Sequence, residues 1–471
     1  MPEPASQKKD AAQPAAVIAL PPTALCVLDV LEGAGHEAWA VGGCVRDALL
    51  GRPSGDVDVA SSATWREAQR AFEARGLRTH ETGTKHGTLT VIADGSPVEV
   101  TTYRADGPYD EDARHPKSVS FVRSIEEDLA RRDFTMNALA YHPRRGLLDP
   151  YGGRADLDAG IIRAVGDPAR RFSEDALRIL RACRFAAQLG FRIEEKTFEG
   201  MLANKGLLVR VSTERTTREI EKLLVGRFAG SALLSCVDVL AAVLPELVAM
   251  KGFDQRTPYH VHDVLEHTAR VVDATPPQPL VRWAALFHDM GKPALFFADA
   301  RGIGHFYGHP ALSASMARGA MARLSLSSAF AARVLELVRR HDDALSPTPK
   351  SVRRMLASLG GDVELFRALC DLKRGDAAGQ APFCRSRIKE VDAVEALLDD
   401  ILAADEAFSL GHLAVNGRTV LALGAEPGPI VGQALDAALD AVIDGEAPND
   451  PGALRAFLAE WLAEHADKAR S

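Results

Sequence analysis

The hydrophobic pattern changes character about a third of the way along the chain. Up to residue 165, short β-branched runs bounded by Gly, Asp and Pro alternate with helical segments, and the runs at 36–42, 56–60, 89–93 and 98–103 predict strands. From 166 onward, apolar residues recur every three or four positions with few strand signals, which predicts helices. The pattern therefore predicts an α+β front domain followed by an all-helical remainder.

Composition narrows the class of protein. The 471 residues suffice for three or four domains, and 46% hydrophobic with 25% charged residues is ordinary for a soluble globular chain. No apolar run is long enough to span a membrane, and the six cysteines are scattered without a C-x-x-C pair. We therefore expect a cytoplasmic, reduced protein with no membrane partner and no disulfide framework.

The charge is distributed unevenly. A net charge of -8 argues weakly against nucleic-acid binding, because phosphate contacts need Lys and Arg. However, residues 163–227 carry a net +5, whereas residues 389–471 carry -11. The argument against nucleic-acid binding therefore applies to the C-terminal segment and not to the rest of the chain.

A glycine pair closes the first predicted strand. Gly42 and Gly43 let backbone N–H groups approach an anion at the start of a helix, and Arg46, one turn later, could reach a phosphate. Asp56 and Asp58 are two positions apart on the next strand, so both side chains project from one face. Two carboxylates on one face favour a bound cation, and oxygen ligands suit Mg²⁺.

Glu99, on a later predicted strand, is a candidate third carboxylate for the same cation site. The alternative interpretation of Glu99 is an exposed strand residue with no ligand role.

Four charged residues repeat every three positions in a segment predicted to be helical: Asp175, Arg178, Arg181 and Arg184. Such a repeat forms a slanting stripe along one side of a helix, which in isolation is a solvated basic face. Next to a nucleotide site it offers more, because Asp accepts from an exocyclic amine and Arg donates to ring nitrogens and carbonyls.

Several motifs in order resemble the class II tRNA nucleotidyltransferases, the family of CCA-adding enzymes and related bacterial poly(A) polymerases. The resemblance covers about residues 35–225. It is carried by Gly42-Gly43-x-x-Arg46-Asp47 with Asp56-x-Asp58, by 131–138 (RRDFTMNA), by 148–153 (LDPYGG), and by Glu174-Asp175-x-x-Arg178-x-x-Arg181-x-x-Arg184-Phe185.

The resemblance implies a domain order. It places a polymerase-β-like palm domain at 23–165 after a flexible tail at 1–22, then a helical neck for nucleotide selection and RNA binding at 166–235. An HD domain at 236–375 and an acidic helical domain at 376–471 complete the expected architecture.

The resemblance also implies a chemistry, the template-independent addition of CCA from CTP and ATP to the 3′ end of tRNA with release of pyrophosphate. Two Mg²⁺ ions at Asp56 and Asp58, supported by Glu99, would activate the RNA hydroxyl and hold the triphosphate. The residues expected to contact the nucleotide are Gly42, Gly43, Arg46, Arg132, Asp175 and Arg178, with Arg181 and Arg184 serving phosphate and helix positioning.

The segment 284–293 (AALFHDMGKP) resembles the doublet of HD-domain metal-dependent phosphohydrolases. It implies His267, His288, Asp289 and Asp342 as ligands for Mn²⁺, Ni²⁺ or Fe²⁺, with His309 and His341 available for a second metal. The alternative is a helical scaffold without a metal.

Other functions stay open at this point. Within the family, a poly(A) polymerase or an enzyme adding only CC or only A is an alternative, although the acidic C-terminal segment favours CCA addition. A second alternative is an HD phosphohydrolase as the main activity, and a third is a non-enzymatic tRNA-binding protein. The sequence does not define an oligomeric state.

Overall fold

The computed structural model describes residues 18–53, 57–83, 87–106, 119–122, 124–404 and 409–466. The chain divides into two compact units, and each is described separately. Unit 1 holds the described residues up to Leu223 together with Asp238–Val243. Unit 2 holds Leu224–Val237 and the described residues from Leu244 onward.

A mixed sheet forms the centre of unit 1. Its strand order is β3-β4-β5-β2-β1-β8-β9, and the pair β2/β5 is parallel whereas the other neighbours are antiparallel. The strands are β1 (Ala38–Val41), β2 (Asp58–Ser61), β3 (Arg78–Gly83), β4 (Thr88–Ala93), β5 (Ser96–Thr102), β8 (Ala140–His142) and β9 (Gly146–Leu148), with the pairs β6 (Arg104–Asp106) with β7 (Val119–Phe121) and β10 (Ile161–Ile162) with β11 (Arg192–Ile193) outside the sheet.

Helices cover the sheet and continue beyond it. The helices of unit 1 are α1 (Pro22–Gly33), α2 (Gly43–Leu49), α3 (Trp65–Ala74), α4 (Ile125–Ala130), α5 (Gly153–Ala159), α6 (Pro168–Glu174), α7 (Leu177–Leu189), α8 (Glu195–Asn204) and α9 (Thr213–Leu224), with 3₁₀ turns at Thr135–Asn137 and Lys205–Arg210. Local sequence fixes several starts: Thr64 and Glu67 form a capping box on α3, and Asp167 caps α6 ahead of Pro168.

The two faces of the sheet pack against different cores. On one face, apolar residues of α1 and α3, including Leu31 and Phe72, cover Val59 and Leu89. On the other face, Trp39 and Val41 meet side chains of α4 such as Leu129. A sheet buried on both faces holds its strand ends firmly, which matters because the candidate site lies at the ends of β1 and β2.

Unit 2 is mainly helical. Its helices are α10 (Ala229–Leu240, whose last residues are counted with unit 1), α11 (Leu247–Met250), α12 (Val264–Ala274), α13 (Pro279–Phe287), α14 (Lys292–Leu295), α15 (His309–Arg323), α16 (Ser328–Arg340), α17 (Pro349–Ser358), α18 (Val363–Gly379), α19 (Ser386–Ala403), α20 (Gly417–Ala422), α21 (Pro429–Asp444) and α22 (Pro451–Ala466), with 3₁₀ turns at Pro382–Arg385 and Leu410–His412. A short hairpin joins β12 (Phe297–Ala298) to β13 (Gly304–His305).

Glycines allow α18 to approach α12 closely. A Cβ atom on Gly375 would lie 2.5 Å from Cγ2 of Thr275, and one on Gly379 would lie 2.9 Å from Cγ2 of Val271. Because a larger side chain does not fit at either position, the backbone of α18 packs directly against side chains of the α12 region. This contact brings the C-terminal end of α18 against His267 of α12, whose Nδ1 lies 3.2 Å from the Gly379 carbonyl oxygen.

Basic residues of earlier helices partly neutralise the acidic C-terminal segment. Arg374 of α18 pairs with Asp392 at 2.8 Å and with Glu395, and Lys350 of α17 pairs with Asp444 at 3.1 Å. The α20–α22 region has its own apolar core. The negative charge of residues 389–471 therefore includes carboxylates that are engaged within unit 2.

The fold class predicted from the sequence is confirmed, since all four predicted strands are present as β1, β2, β4 and β5. Two details differ. Ile18 is buried and donates its N–H to the Tyr141 hydroxyl at 3.2 Å, so the described residues 18–22 pack on unit 1 and are not tail. Short strands β11, β12 and β13 also occur in the part expected to be all helical.

Among the described residues, no helix has both the length and the apolarity that crossing a membrane requires. All six cysteines are free thiols, as their spacing predicted.

Candidate functional site

The turn between β1 and α2 is held in a conformation that favours glycine. Gly42 has a φ of 73°, and a Cβ atom there would lie 2.6 Å from an Arg132 guanidinium nitrogen. Its carbonyl oxygen accepts from the Arg46 N–H at 3.1 Å, so the turn leads directly into α2. The absence of a side chain at Gly42 therefore lets the Arg132 guanidinium lie directly against the backbone of the turn.

Two arginines converge on this turn. Arg46 Nη1 donates to Asn137 Oδ1 at 2.8 Å, and Arg132 Nη1 donates to the Asn137 carbonyl oxygen at 3.3 Å. Arg132 also pairs with Asp128 at 3.3 Å, while its buried Nε has no acceptor among the described residues. A buried donor without an acceptor is costly, and a bound anion would satisfy it.

The carboxylates of Asp58 and Glu99 belong to adjacent strands. Asp58 begins β2, and it is the register partner of Glu99 in the parallel pair β2/β5. Neighbouring residues of a parallel pair project to the same face, so the two side chains lie side by side. Asp56, predicted as the other metal ligand, falls outside the described residues.

A buried carboxylate ties the strand region to α7. Asp133 accepts from Arg181 Nε at 2.7 Å and from Asn137 Nδ2 at 3.0 Å. Burial alone would raise the pKa of Asp133, but Arg181 and Asn137 together hold it well below its ordinary value. Arg181 therefore acts in positioning Asn137, the residue that Arg46 and Arg132 both contact.

The predicted stripe of Asp175, Arg178, Arg181 and Arg184 is not a single helical row. Asp175 lies at the break between α6 and α7 with an extended backbone, φ -144° and ψ 102°, because its Oδ1 accepts the N–H of Leu177 at the start of α7. Its Oδ2 accepts from Arg215 at 3.1 Å. The expectation of one slanting stripe is therefore wrong for Asp175, although the other three residues do lie on α7.

Arg178 is buried and its donors are directed at fixed acceptors. It contacts the carbonyl oxygens of Arg171 at 2.9 Å and Arg131 at 3.0 Å, and the Glu174 carboxylate at 3.0 Å. These contacts fix the orientation of the Arg178 guanidinium group. The role of Arg178 in contacting a base stays a prediction.

Arg184 belongs to a buried ion pair. It contacts Glu219 of α9 at 3.1 Å, and its guanidinium lies 4.3 Å from the Phe185 ring centroid. Burial lowers the pKa of Arg184 despite the neighbouring Glu219. Arg184 thus joins α7 to α9 inside the protein. The sequence predicts only a general role for Arg184 in phosphate and helix positioning and does not identify Glu219 as its partner.

Unit 2 contains a second polar cluster, made of buried histidines and aspartates. In His267, His288, His309 and His341, Nδ1 lies 2.7–3.2 Å from a backbone carbonyl oxygen, which directs Nε2 into the cluster. Asp289 lies between two pairs of these histidines. Its Oδ2 lies 3.3 Å from His267 and 3.2 Å from His288, and its Oδ1 lies 3.2 Å from His309 and 3.6 Å from His341.

This donor set fits divalent cations. Three groups of ligand atoms lie within 4.8 Å of one another: His260 with His267 and Asp376, His267 with His288 and Asp289, and Asp289 with His309 and His341. The Nε2 atoms approach to 3.3 Å between His267 and His288, and to 3.1 Å between His309 and His341. Facing imidazole nitrogens need a shared proton or a cation between them, and mixed N/O sites suit transition metals.

The outer ligand predicted from sequence differs from the one the structure supplies. Asp342 is exposed, follows the C-terminal end of α16 and lies outside the three groups. Asp376 of α18 takes that place, 3.0 Å from His267 Nε2. Sequence reasoning missed Asp376, and the available signal was its position between Gly375 and Gly379, which permit the close helix contact.

The pKa values in this cluster reflect its dense charges. Burial opposes the protonation of His267, yet hydrogen bonds to Asp289 and Asp376 raise its pKa to about 9. Burial, assisted by the nearby Lys292, lowers the pKa of His260 to about 3. Although burial raises it, His288 and Lys292 hold the pKa of Asp289 well below its ordinary value.

Family models match three segments of the chain in the order expected. The poly A polymerase head domain matches residues 38–163, and the probable RNA and SrmB-binding site of polymerase A matches 190–250. The HD domain matches residues 259–370. These matches define the class of protein, a nucleotidyltransferase head followed by an HD domain. Nucleotidyltransferases of this family use divalent metal ions.

Full-length relatives define the family further. The chain is 37% identical over 440 residues to the CCA-adding enzyme of Geobacillus thermodenitrificans, covering 93% of this chain and 96% of that enzyme. It is 35% identical over 459 residues to the CCA-adding enzyme of Streptococcus thermophilus, covering 92% and 96%. The chain belongs to the CCA-adding enzyme family.

Solved structures agree. The Bacillus stearothermophilus CCA-adding enzyme in complex with CTP matches with a TM-score of 0.69 and 31% identity, covering 95% of this chain and 100% of that one. The Thermotoga maritima CCA-adding enzyme complexed with tRNA matches with a TM-score of 0.55 and 21% identity, covering 93% and 94%, which is a likeness of fold.

Proposed function

We propose that this protein adds CCA to the 3′ end of tRNA from CTP and ATP without a nucleic-acid template, releasing pyrophosphate. The observation that carries the proposal is the glycine turn at Gly42 and Gly43, packed against Arg132 and Arg46 beside the Asp58 and Glu99 pair. Full-length similarity to CCA-adding enzymes supports it. The acidic, disulfide-free composition is consistent with action in the cytoplasm.

The turn and the two arginines form the proposed triphosphate site. Backbone N–H groups after Gly42 and the guanidinium groups of Arg46 and Arg132 donate to phosphate oxygens. Asn137 keeps the two guanidinium groups apart at a fixed distance, and Asp133 with Arg181 keeps Asn137 in place. The site is thereby preorganised before the nucleotide enters.

Asp56, Asp58 and Glu99 form the proposed magnesium site, because an oxygen-only donor set suits Mg²⁺. When bound, Mg²⁺ would lower the pKa of the RNA hydroxyl and neutralise the triphosphate charge. The strand pairing of β2 with β5 supplies the rigidity, since it keeps the Asp58 and Glu99 carboxylates adjacent.

Asp175 and Arg178 are the proposed base-selecting pair. Asp175 accepts from Arg215 and from a backbone N–H, and a carboxylate retains lone pairs for an exocyclic amine of cytosine or adenine. Guanine and uracil present a carbonyl at that position and would face the Asp175 oxygens unfavourably. Arg215 is a positioning residue for Asp175 in this scheme, and Arg184 fixes the helix through Glu219.

A domain division accompanies this function: a palm at 23–165, a neck at 166–235, an HD domain at 236–375 and an acidic helical domain at 376–471.

The buried histidines favour a second activity, a metal-dependent phosphohydrolase in the HD domain. Its proposed ligands are His267, His288 and Asp289, with Asp376 in place of Asp342, for Mn²⁺, Ni²⁺ or Fe²⁺, and His309 and His341 for a second ion. Because Asp376 belongs to α18 (Val363–Gly379), we extend the proposed HD domain to the end of that helix.

The experiment uses purified protein, Mg²⁺ and three tRNAs, ending at the discriminator base, at C and at CC. CTP and ATP are supplied separately and together, and products are resolved at single-nucleotide length. We expect completion to CCA on every tRNA. Incorporation of only one nucleotide would assign a CC-adding or A-adding enzyme, long A tails would assign a poly(A) polymerase, and activity that survives Asp58→Ala would refute the proposed site.

A further inference from the structure

Exposed aromatic side chains gather around the histidine cluster of unit 2. Of the described residues in this unit, the aromatic side chains among the exposed large hydrophobic ones are Tyr259, Phe297, Tyr307 and Phe383. Tyr259 precedes His260, and Tyr307 is two residues before His309. Exposed apolar surface is unfavourable in water, and Phe297 and Tyr307, whose ring centroids lie 5.7 Å apart, concentrate it on the β12/β13 hairpin, which indicates a binding surface there.

The β12/β13 hairpin arranges three of the rings on one face. Phe297 is the cross-strand partner of His305, and Tyr307 follows two positions later, so all three side chains project to the same side. The centroids of Phe297 and His305 lie 5.2 Å apart at 24°, and those of His305 and Tyr307 lie 5.6 Å apart at 19°. The centroids of Phe297 and Tyr307 lie 5.7 Å apart at 42°, so the three rings form a cluster in mutual contact, and Tyr307 is its most exposed member at 75%.

Hydrogen bonds of the hairpin turn fix the orientation of the His305 ring. Asp299 Oδ2 lies 3.2 Å from Nε2 of His305, and Asp299 Oδ1 accepts the N–H of Arg301 at 2.8 Å and of Ile303 at 3.0 Å. The turn itself therefore holds the ring against which Tyr307 packs. A ring cluster that is rigid before binding loses little conformational entropy when a further ring is added.

Positive charge borders the ring cluster. Arg301 lies in the hairpin turn and is 82% exposed, and its Nε lies 4.0 Å from Asp299 Oδ2, the oxygen that is 3.2 Å from Nε2 of His305. Because 4.0 Å is beyond hydrogen-bond distance, the Arg301 guanidinium can donate to a phosphate next to the rings.

We propose that the hairpin is a binding site for an unpaired base of single-stranded RNA, which stacks on Tyr307 while Arg301 contacts a phosphate. Exposed aromatic rings with an adjacent arginine are the combination that binds single-stranded nucleic acid without sequence preference. A lipid or an apolar protein surface would cover the rings but leave the Arg301 guanidinium without an acceptor. The site lies in unit 2 and does not depend on nucleotidyl transfer in unit 1.

The test uses the full-length protein and a six-nucleotide single-stranded RNA carrying 5-iodouracil, cross-linked by long-wavelength ultraviolet light. Cross-links to the peptide spanning 296–309 are quantified by mass spectrometry as the RNA concentration is raised, which gives the half-saturating concentration at this site. We compare the wild type with Tyr307→Phe, which keeps the ring, and with Tyr307→Leu, which keeps only the apolar surface.

The proposal predicts saturable cross-links in the wild type and in Tyr307→Phe, and a rise of at least about fivefold in the half-saturating concentration for Tyr307→Leu. Absence of cross-links to the hairpin would overturn the proposal. Equal saturation of Tyr307→Leu and the wild type would overturn base stacking in favour of an apolar docking surface. A dimer that dissociates in Tyr307→Leu, measured by sedimentation with unchanged cross-linking, would assign the face to self-association instead.

Discussion

Replacing Gly42 with alanine separates backbone strain from nucleotide binding. Gly42 has a φ of 73° and a ψ of -127°, a sparsely populated combination in which an L residue costs about 1–3 kcal/mol. The new Cβ would also lie 2.6 Å from the Arg132 guanidinium, which must move away. Displacing Arg132 loses its hydrogen bond to the Asn137 carbonyl oxygen, worth about 1 kcal/mol. We therefore expect Gly42→Ala to lower the free energy of unfolding by about 2–4 kcal/mol.

The loss of nucleotide affinity follows from the same displacement. If Arg132 donates to the triphosphate, losing one charge-assisted hydrogen bond of about 1.5–3 kcal/mol weakens CTP binding about 10- to 100-fold. Gly76→Ala is the matched control, because Gly76 has a φ of 74° with no atom within 4 Å of an added Cβ. It should carry the strain cost of about 1–2 kcal/mol and bind CTP like the wild type.

Calorimetry measures both quantities, by titration with CTP for affinity and by thermal scans for stability. The reasoning is refuted if Gly42→Ala binds CTP as tightly as the wild type, or if Gly76→Ala loses as much affinity as Gly42→Ala. In the first case Arg132 does not contact the nucleotide, and in the second case general destabilisation explains the loss.

Three further predictions concern the buried charges. Arg184→Met leaves Glu219 buried without its ion-pair partner and should lower the free energy of unfolding by about 3–5 kcal/mol, measured by thermal unfolding. The double variant Arg184→Met with Glu219→Leu should recover most of that loss. No recovery would show that the broken ion pair is not its cause. The depressed pKa of Asp133 means that its ion pair stabilises the fold above its ordinary value of about 3.9 and less as pH falls. Asp133→Asn should therefore cost about 2–3 kcal/mol at pH 7 and clearly less near pH 3, and an equal cost at both values would contradict the assignment. Asp376→Ala should weaken Mn²⁺ binding to the full-length protein by more than about tenfold, whereas Asp342→Ala should not; equal effects in equilibrium dialysis would restore the sequence-based ligand set.

Sequence reasoning predicted the strands that carry buried β-branched residues and missed β3. Every residue of β3 is exposed or half-buried, so its hydrophobic pattern carries no signal, and only pairing with β4 makes it a strand. The prediction that Asp175 belongs to a row of charged residues on one helix was wrong for a related reason. A side chain that accepts a nearby backbone N–H competes with the helix, and the three-residue spacing alone cannot reveal that competition.

The candidate sites show the same division between local and long-range information. The glycine turn and the His288-Asp289 doublet are contiguous motifs, so their chemistry could be predicted directly. Asp376 lies more than 80 residues from the doublet, and it reaches His267 because two glycines let α18 approach α12. Ligands that depend on helix packing need the structure.

The most direct test of template-independent CCA addition supplies a tRNA ending at the discriminator base with all four nucleoside triphosphates at equal concentration. Sequencing of the product 3′ ends measures which nucleotides are added and how many. The account predicts C, C and A in that order followed by termination, and no product from Asp58→Asn. Frequent U or G, tails that continue past A, or addition by Asp58→Asn would contradict it.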